Sequence, residues 1–263
     1  MEISNKHKIL VLADLNEFTS NTIKSSVSLA KIVDADINFF YVKKPTEVVK
    51  KESQLSAMRT INKEYLSIDK KIKNIINPIS NNYNVTINHT FAIGNLKNEI
   101  DKFIDEKKPD IIVLGKRKTK ILNFIGDNIT QFILKKHKGT IVISDENNPL
   151  EPNKDLSLGV FNYTKSKNIF SENIINSTEK PLTSFTISGS SSNLKEETPL
   201  KDTKIVEYVF EKGDNVLKNI SNYLSKSDVN LLFVNRENND STSLKPNIKN
   251  VINNINCSLI LTN

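Results

Sequence analysis

Cysteine, glycine and long apolar runs are what this chain lacks. Its one cysteine, Cys257, rules out an intrachain disulfide. It lies just before the apolar run 259–261 and reads as a buried, inert thiol. No apolar stretch approaches the roughly 20 residues that span a bilayer. The opening "MEISNKHKILVLAD" has no cleavable apolar segment followed by small residues, so the expectation is a cytoplasmic protein with no membrane segment. Glycine occurs seven times, and none follows the apolar run "LLFV" (231–234), where a phosphate-cradling loop would need close backbone approach. A Gly-x-Ser-x-Gly elbow, a Cys–His pairing and a Walker A lysine are also missing. His7, His89 and His137 share no spacing with cysteines or carboxylates that would hold a metal, and they read as surface residues. The expectation is a protein without catalytic activity of its own. The basic run "GKRKTK" (115–120) lacks the interleaved aromatics on which bases stack, which argues against a nucleic-acid partner.

What is present is a chain of 263 residues, enough for one large domain or two ordinary ones. The net charge is +7 and unevenly spread. Residues 1–150 hold 24 Lys+Arg against 17 Asp+Glu, and residues 151–263 hold 13 of each. An excess of this size, confined to one half, reads as a solvated basic face.

The first half alternates two periodicities. "KILVLAD" is a short apolar run of strand length, and 16–35 follows with Ile23, Val27 and Ala30 on one helical face. "DINFFYV" is a second strand. From 46 to 76, Met58, Ile61, Tyr65, Ile68, Ile72 and Ile75 recur at three- and four-residue spacing, which predicts a long amphipathic helix stopped near Pro78. "VTINHTFAIG", "DIIVLG" and "GTIVIS" are three further strands, the last two separated by the basic loop and a helix. Lys135, Lys136, His137 and Lys138 suit the last turn of that helix, with Gly139 as its cap. Strands alternating with helices imply a parallel sheet covered on both faces, with ligands beyond the carboxyl ends of the strands. "DENNPLEPNKD" (145–155) reads as a polar linker. Beyond it the order restarts in shorter form through "LSLGVFN", "LTSFTIS", "TKIVEYVF", "VNLLFVN" and "SLILT", with the polar stretch "GSSSNLKEETPLKD" where the first half has its long helix.

These stretches resemble the universal stress protein family. "KILVLADLNEFTSNTIKSSVSLAKIVDADINFFYV" is similar to the family's first strand, its aspartate, first helix and second strand. "AIGNLKNEIDKFIDEKKPDIIVLG" and "ITQFILKKHKGTIVIS" resemble its later elements. The second half is similar only in element order. The resemblance implies an α/β fold of two tandem Rossmann-like, adenine nucleotide alpha hydrolase-like domains, each a roughly five-stranded parallel sheet flanked by helices, the second reduced. The expected bounds are 1–146, a linker at 147–154, and 155–263. Because units of this family usually pair through their last strands, "TIVIS" (140–144) and "SLILT" (258–262) are expected to meet.

The family's ATP-binding branch carries glycine, two residues, glycine, nine residues, then glycine and serine or threonine. Here Gly115 fills the first place, Lys118 stands in the second, and Asp127 and Asn128 fall at the closing pair with one residue fewer between. In binding members the aspartate after the first strand and the residue ending the second contact the adenosine. The candidate nucleotide site is therefore Asp14, Val42, Gly115, Lys118, Asp127, Asn128 and Thr130. Physical chemistry pulls it both ways. Asp127 as a helix cap would occupy the amides near 128–130 and set a negative charge where phosphates go, whereas Lys116, Arg117, Lys118 and Lys120 could hold a phosphate by side chains, or Mg²⁺ could bridge to Asp127. Two readings follow. One is a non-catalytic stress-response or regulatory protein acting through an unknown protein partner or as a homo-oligomer, with its two halves as an internal pseudo-dimer. The other is an adenine-nucleotide sensor that holds ATP with Mg²⁺, or AMP, in the first half.

Overall fold

The computed structural model describes residues 6–44, 54–116, 129–161, 169–178, 180–188, 204–236 and 247–262. The first series of elements is β1 (His7–Leu12), α1 (Thr19–Val33), β2 (Ala35–Lys43), α2 (Gln54–Tyr83), β3 (Ile87–Ile93), α3 (Leu96–Lys107), β4 (Ile111–Gly115), α4 (Ile129–Lys136) and β5 (Thr140–Ser144). It is followed by β6 (Leu158–Phe161), α5 (Ile169–Asn176), β7 (Leu182–Ile187), β8 (Ile205–Phe210), α6 (Val216–Lys226), β9 (Leu231–Asn235), α7 (Ile248–Asn254) and β10 (Ser258–Thr262).

The ten strands among the described residues form one sheet in the order β3-β2-β1-β4-β5-β10-β9-β6-β7-β8. Every neighbouring pair is parallel except β5 and β10, which run antiparallel with Ile143 opposite Leu259, Val142 opposite Ile260 and Ile141 opposite Leu261. Read outward from that pair, the two sides repeat one order. The expected meeting of the last strands is therefore present as a backbone ladder. The central strands are apolar at nearly every position, as a sheet covered on both faces requires. One core layer joins the sheet to α1, α2 and α5, and the other joins it to α3, α4, α6 and α7. Each layer draws residues from both halves, so apolar burial continues across the antiparallel seam.

Among the described residues, four helix ends pass into the following segment through a left-handed residue that is not glycine: Asp34, Asn84, Lys108 and Asp228. In a chain so poor in glycine, the short turns after α1, α2, α3 and α6 use these side chains instead.

Two sequence expectations need correction here. The long helix does not stop near Pro78; α2 contains Pro78 and runs on to Tyr83. Proline withdraws one amide from the ladder, but Ile72, Ile76 and Ile79 stay buried on both sides of it, and that burial holds the helix together past the break. Gly139 is not a left-handed helix cap. A Cβ there would stand 2.5 Å from the Asp110 carbonyl and 2.6 Å from the His137 ring, so it is the close passage of chain that requires glycine. The stretch read as a polar linker is anchored as well: Asp145 and Leu150 are buried, Leu150 in the α1 layer.

Candidate functional site

The carboxyl ends of β1 and β4 open on a small cleft lined by Asp14, Asn16, Thr22, Gly115, Lys116 and Asp145, among others. It is built from both ends of the sequence pattern. β1 ends in Leu12, and the turn that follows is pinned by the Thr19 hydroxyl, which donates to the Asp14 carbonyl. α1 brings an unusual row of buried hydroxyls, Thr19, Thr22, Ser25 and Ser26, against the strand ends. Ser25 and Ser144 share a hydrogen bond of 2.8 Å, and the Asn21 amide donates to the Glu146 carbonyl at 2.9 Å. Gly115 lets Thr22 close over the end of β4, for a Cβ there would lie 2.7 Å from Thr22 Oγ1.

Lys116 decides the electrostatics. Its side chain is 3% exposed: Nζ donates to the Ile255 carbonyl at the end of α7 and lies 3.7 Å from the Asp145 carboxylate, itself 0% exposed. Asp145 Oδ1 accepts from the amides of Asn147 and Asn148, each at 3.0 Å. Oδ2 makes no hydrogen bond, so the ammonium is its compensation. Cys257 sits beside this pair; burial first and the Asp145 charge second push its thiol up to about 12. Inertness, as read from the sequence, is thus a property of the site's surroundings.

Of the residues singled out from the sequence, Asp14 and Gly115 come together in the cleft. Val42 is buried in the α3 layer at the end of β2, and Thr130 lies half-buried in the first turn of α4. Lys118, Asp127 and Asn128 lie outside the described residues, as does the proposed Asp127 cap. Sequence reasoning missed Lys116 as an interior residue, Asp145 as its partner, and the hydroxyl row of α1; hydroxyls at 19, 22 and 26 on a helix with an apolar face were the available signal. It also misplaced His137. That ring is buried, with Nε2 3.3 Å from the Asp110 carbonyl, and burial holds it below the ordinary imidazole value. His89 pairs with Asp69 at 2.9 Å. Among the described residues no group of His, Cys, Asp and Glu is arranged to hold a metal, and no helix is long and apolar enough to cross a membrane.

Residues 6–143, more than half of the chain, match the universal stress protein family. The chain belongs to that family. Among solved structures, a universal stress protein from Archaeoglobus fulgidus DSM 4304 matches with a TM-score of 0.64 at 13% identity, over 97% of this chain and 95% of its own. A functionally unknown protein from Pseudomonas aeruginosa PAO1 matches with a TM-score of 0.56 at 10% identity, over 98% of this chain and 92% of its own. At such identities the likeness shows the fold alone. No curated protein matches the chain. Family membership makes the cleft at β1 and β4 the place to test for adenine nucleotide. Among the described residues the enclosed part of the cleft is about 20 Å³, room for about one water.

Proposed function

We propose that this universal stress protein family member is a non-catalytic stress-response protein that acts through protein contacts, with residues 1–146 and 155–263 as two units of an internal pseudo-dimer joined at 147–154. The observation that carries the reading is Lys116. It follows Gly115 at the cleft, where a cation would serve a phosphate, and instead it donates across the seam to Ile255. The repeated strand order around the antiparallel pair supports the two-unit reading. The polar groups at the strand ends are engaged with one another, as in Asn21 with Glu146 and Ser25 with Ser144, which suits a structural junction better than a receptor that must exchange these partners for a ligand.

One observation favours the alternative, a nucleotide sensor in the first half. Asp14 and Gly115, two members of the candidate nucleotide site, line one cleft. Mass spectrometry of small molecules released on denaturing protein purified in low salt separates the two. The expected result is no stoichiometric nucleotide. Stoichiometric ATP or AMP would overturn the scaffold reading in favour of the sensor, and turnover of added ATP would overturn the absence of catalysis.

A further inference from the structure

Lys116 has a counterpart. It is the residue after β4, and its amide donates to the Ser144 carbonyl at the end of β5 at 2.7 Å. Arg236 is the residue after β9, and its amide donates to the Thr262 carbonyl at the end of β10, also at 2.7 Å. From these matched positions both side chains cross the seam in opposite directions. The Lys116 ammonium donates to the carbonyl of Ile255, the first residue after α7. The Arg236 guanidinium donates through Nη1 to the carbonyl of His137, the first residue after α4, at 3.0 Å, and through Nη2 to that of Gly139. The Ile255 and His137 carbonyls each stand at a helix C-terminus, where the backbone dipole favours a cation, and charge-assisted bonds are stronger than neutral ones. Val142 and Ile260, opposite each other in the ladder, hold the same place in the two strand series, so the two contacts exchange about that pair.

We propose that Lys116 and Arg236 are reciprocal latches that hold the two halves together at β5 and β10, and that without them the seam opens as a unit before either half unfolds. This rests on the internal pseudo-dimer reading. Lys116 belongs both to the latch and to the cleft wall, so a group that draws its ammonium toward the cleft mouth releases one latch. The seam and the strand-end cleft are in this way one coupled element.

The test is native-state amide exchange on the full chain, which resolves local from global opening. Arg236→Met is the first variant, because it leaves the buried Lys116–Asp145 pair intact and keeps the test available if Lys116→Met does not fold. The expected result is at least a tenfold faster exchange at Ile141, Ile143, Leu259 and Leu261, whose amides face across the seam, with less than a twofold change at Val142 and Ile260, whose amides face β4 and β9, and in β2 and β7. Lys116→Met should give the same pattern. Equal acceleration in every strand, or none at the seam, overturns the latch and leaves the scaffold reading standing. Release of stoichiometric nucleotide from the native protein overturns the scaffold reading and leaves the exchange pattern to be judged by itself.

Discussion

The Lys116 ammonium lies 3.7 Å from the Asp145 carboxylate, with both side chains sealed from solvent. Two opposite charges in that position balance each other poorly against solvation, but removing one leaves the other stranded. Lys116→Met is therefore expected to destabilise the fold by about 3–5 kcal/mol. Combining it with Asp145→Asn, which keeps an acceptor for the amides of Asn147 and Asn148, should recover more than half of that loss. Urea unfolding of the single and double variants checks this. A double variant no more stable than Lys116→Met would mean that the Asp145 charge is not what the lysine compensates.

Gly115 answers to Thr22. A methyl at 115 would stand 2.7 Å from the Thr22 hydroxyl, one of the row of buried hydroxyls on α1. Gly115→Ala should cost about 1–3 kcal/mol through overpacking. Thr22→Ala removes the obstructing oxygen, so the double variant should be more stable than the sum of the two single changes predicts. Strict additivity would show that the glycine is there for backbone reasons and not for this contact.

Much of the fold was legible because its determinants are local. Short β-branched runs such as "IIVLG" and "TIVIS" are apolar through their middle positions and sit between helical patterns, and that alone implies a doubly covered sheet. The site was less legible because its determinants are not local. Lys116 reads as one of four cations in a basic loop, and Asp145 as the first residue of a polar linker; only the pairing of β5 with β10 brings the lysine to a carbonyl 139 residues away. Pro78 misled for a related reason. Its local cost is real, but whether a helix survives it depends on the burial of Ile76 and Ile79, which local propensity does not report.

Scarce glycine leaves a stability reserve at Lys108. That residue closes α3 with φ 47° and ψ 61°, its amide bonded to the Ile104 carbonyl. A left-handed conformation costs an ordinary residue about 1–2 kcal/mol, and glycine gives back part of the gain through its freer unfolded chain. Lys108→Gly should raise stability by about 0.5–1 kcal/mol, whereas Lys108→Ala should not. Thermal or urea melts of the two variants check this, and a gain shared by both would trace to the lost charge rather than to the backbone.

Cys257 should not react while the protein is folded. It is buried, and its thiol is pushed up to about 12, so thiolate is scarce at neutral pH. A thiol reagent such as Ellman's should label one group per chain only once denaturant is added, with a rate that follows unfolding. Stoichiometric labelling of the native protein within minutes would mean that the β5–β10 seam opens far more readily than its buried contacts imply.

His137 should make the protein weaker in acid. Its ring is buried, and burial is the largest influence holding it below the ordinary imidazole value of 6.5. The Arg236 charge works in the same direction, while the hydrogen bond with the Asp110 carbonyl opposes both. In the unfolded chain the ring is free to take up a proton at its ordinary value, so below about 6.5 the unfolded state binds more protons than the folded one. Stability then rises with pH through that range and falls as pH is lowered from 7.5 toward 5.5. His137→Gln keeps a polar group near the Asp110 carbonyl and cannot titrate. Its unfolding free energy should be flatter between pH 5.5 and 7.5 than that of the native protein, whatever its absolute value. Urea titrations of both proteins at those two pH values measure the difference in slope. Equal slopes would mean that other groups set the acid sensitivity and that the His137 ring takes its proton in the fold as readily as in water.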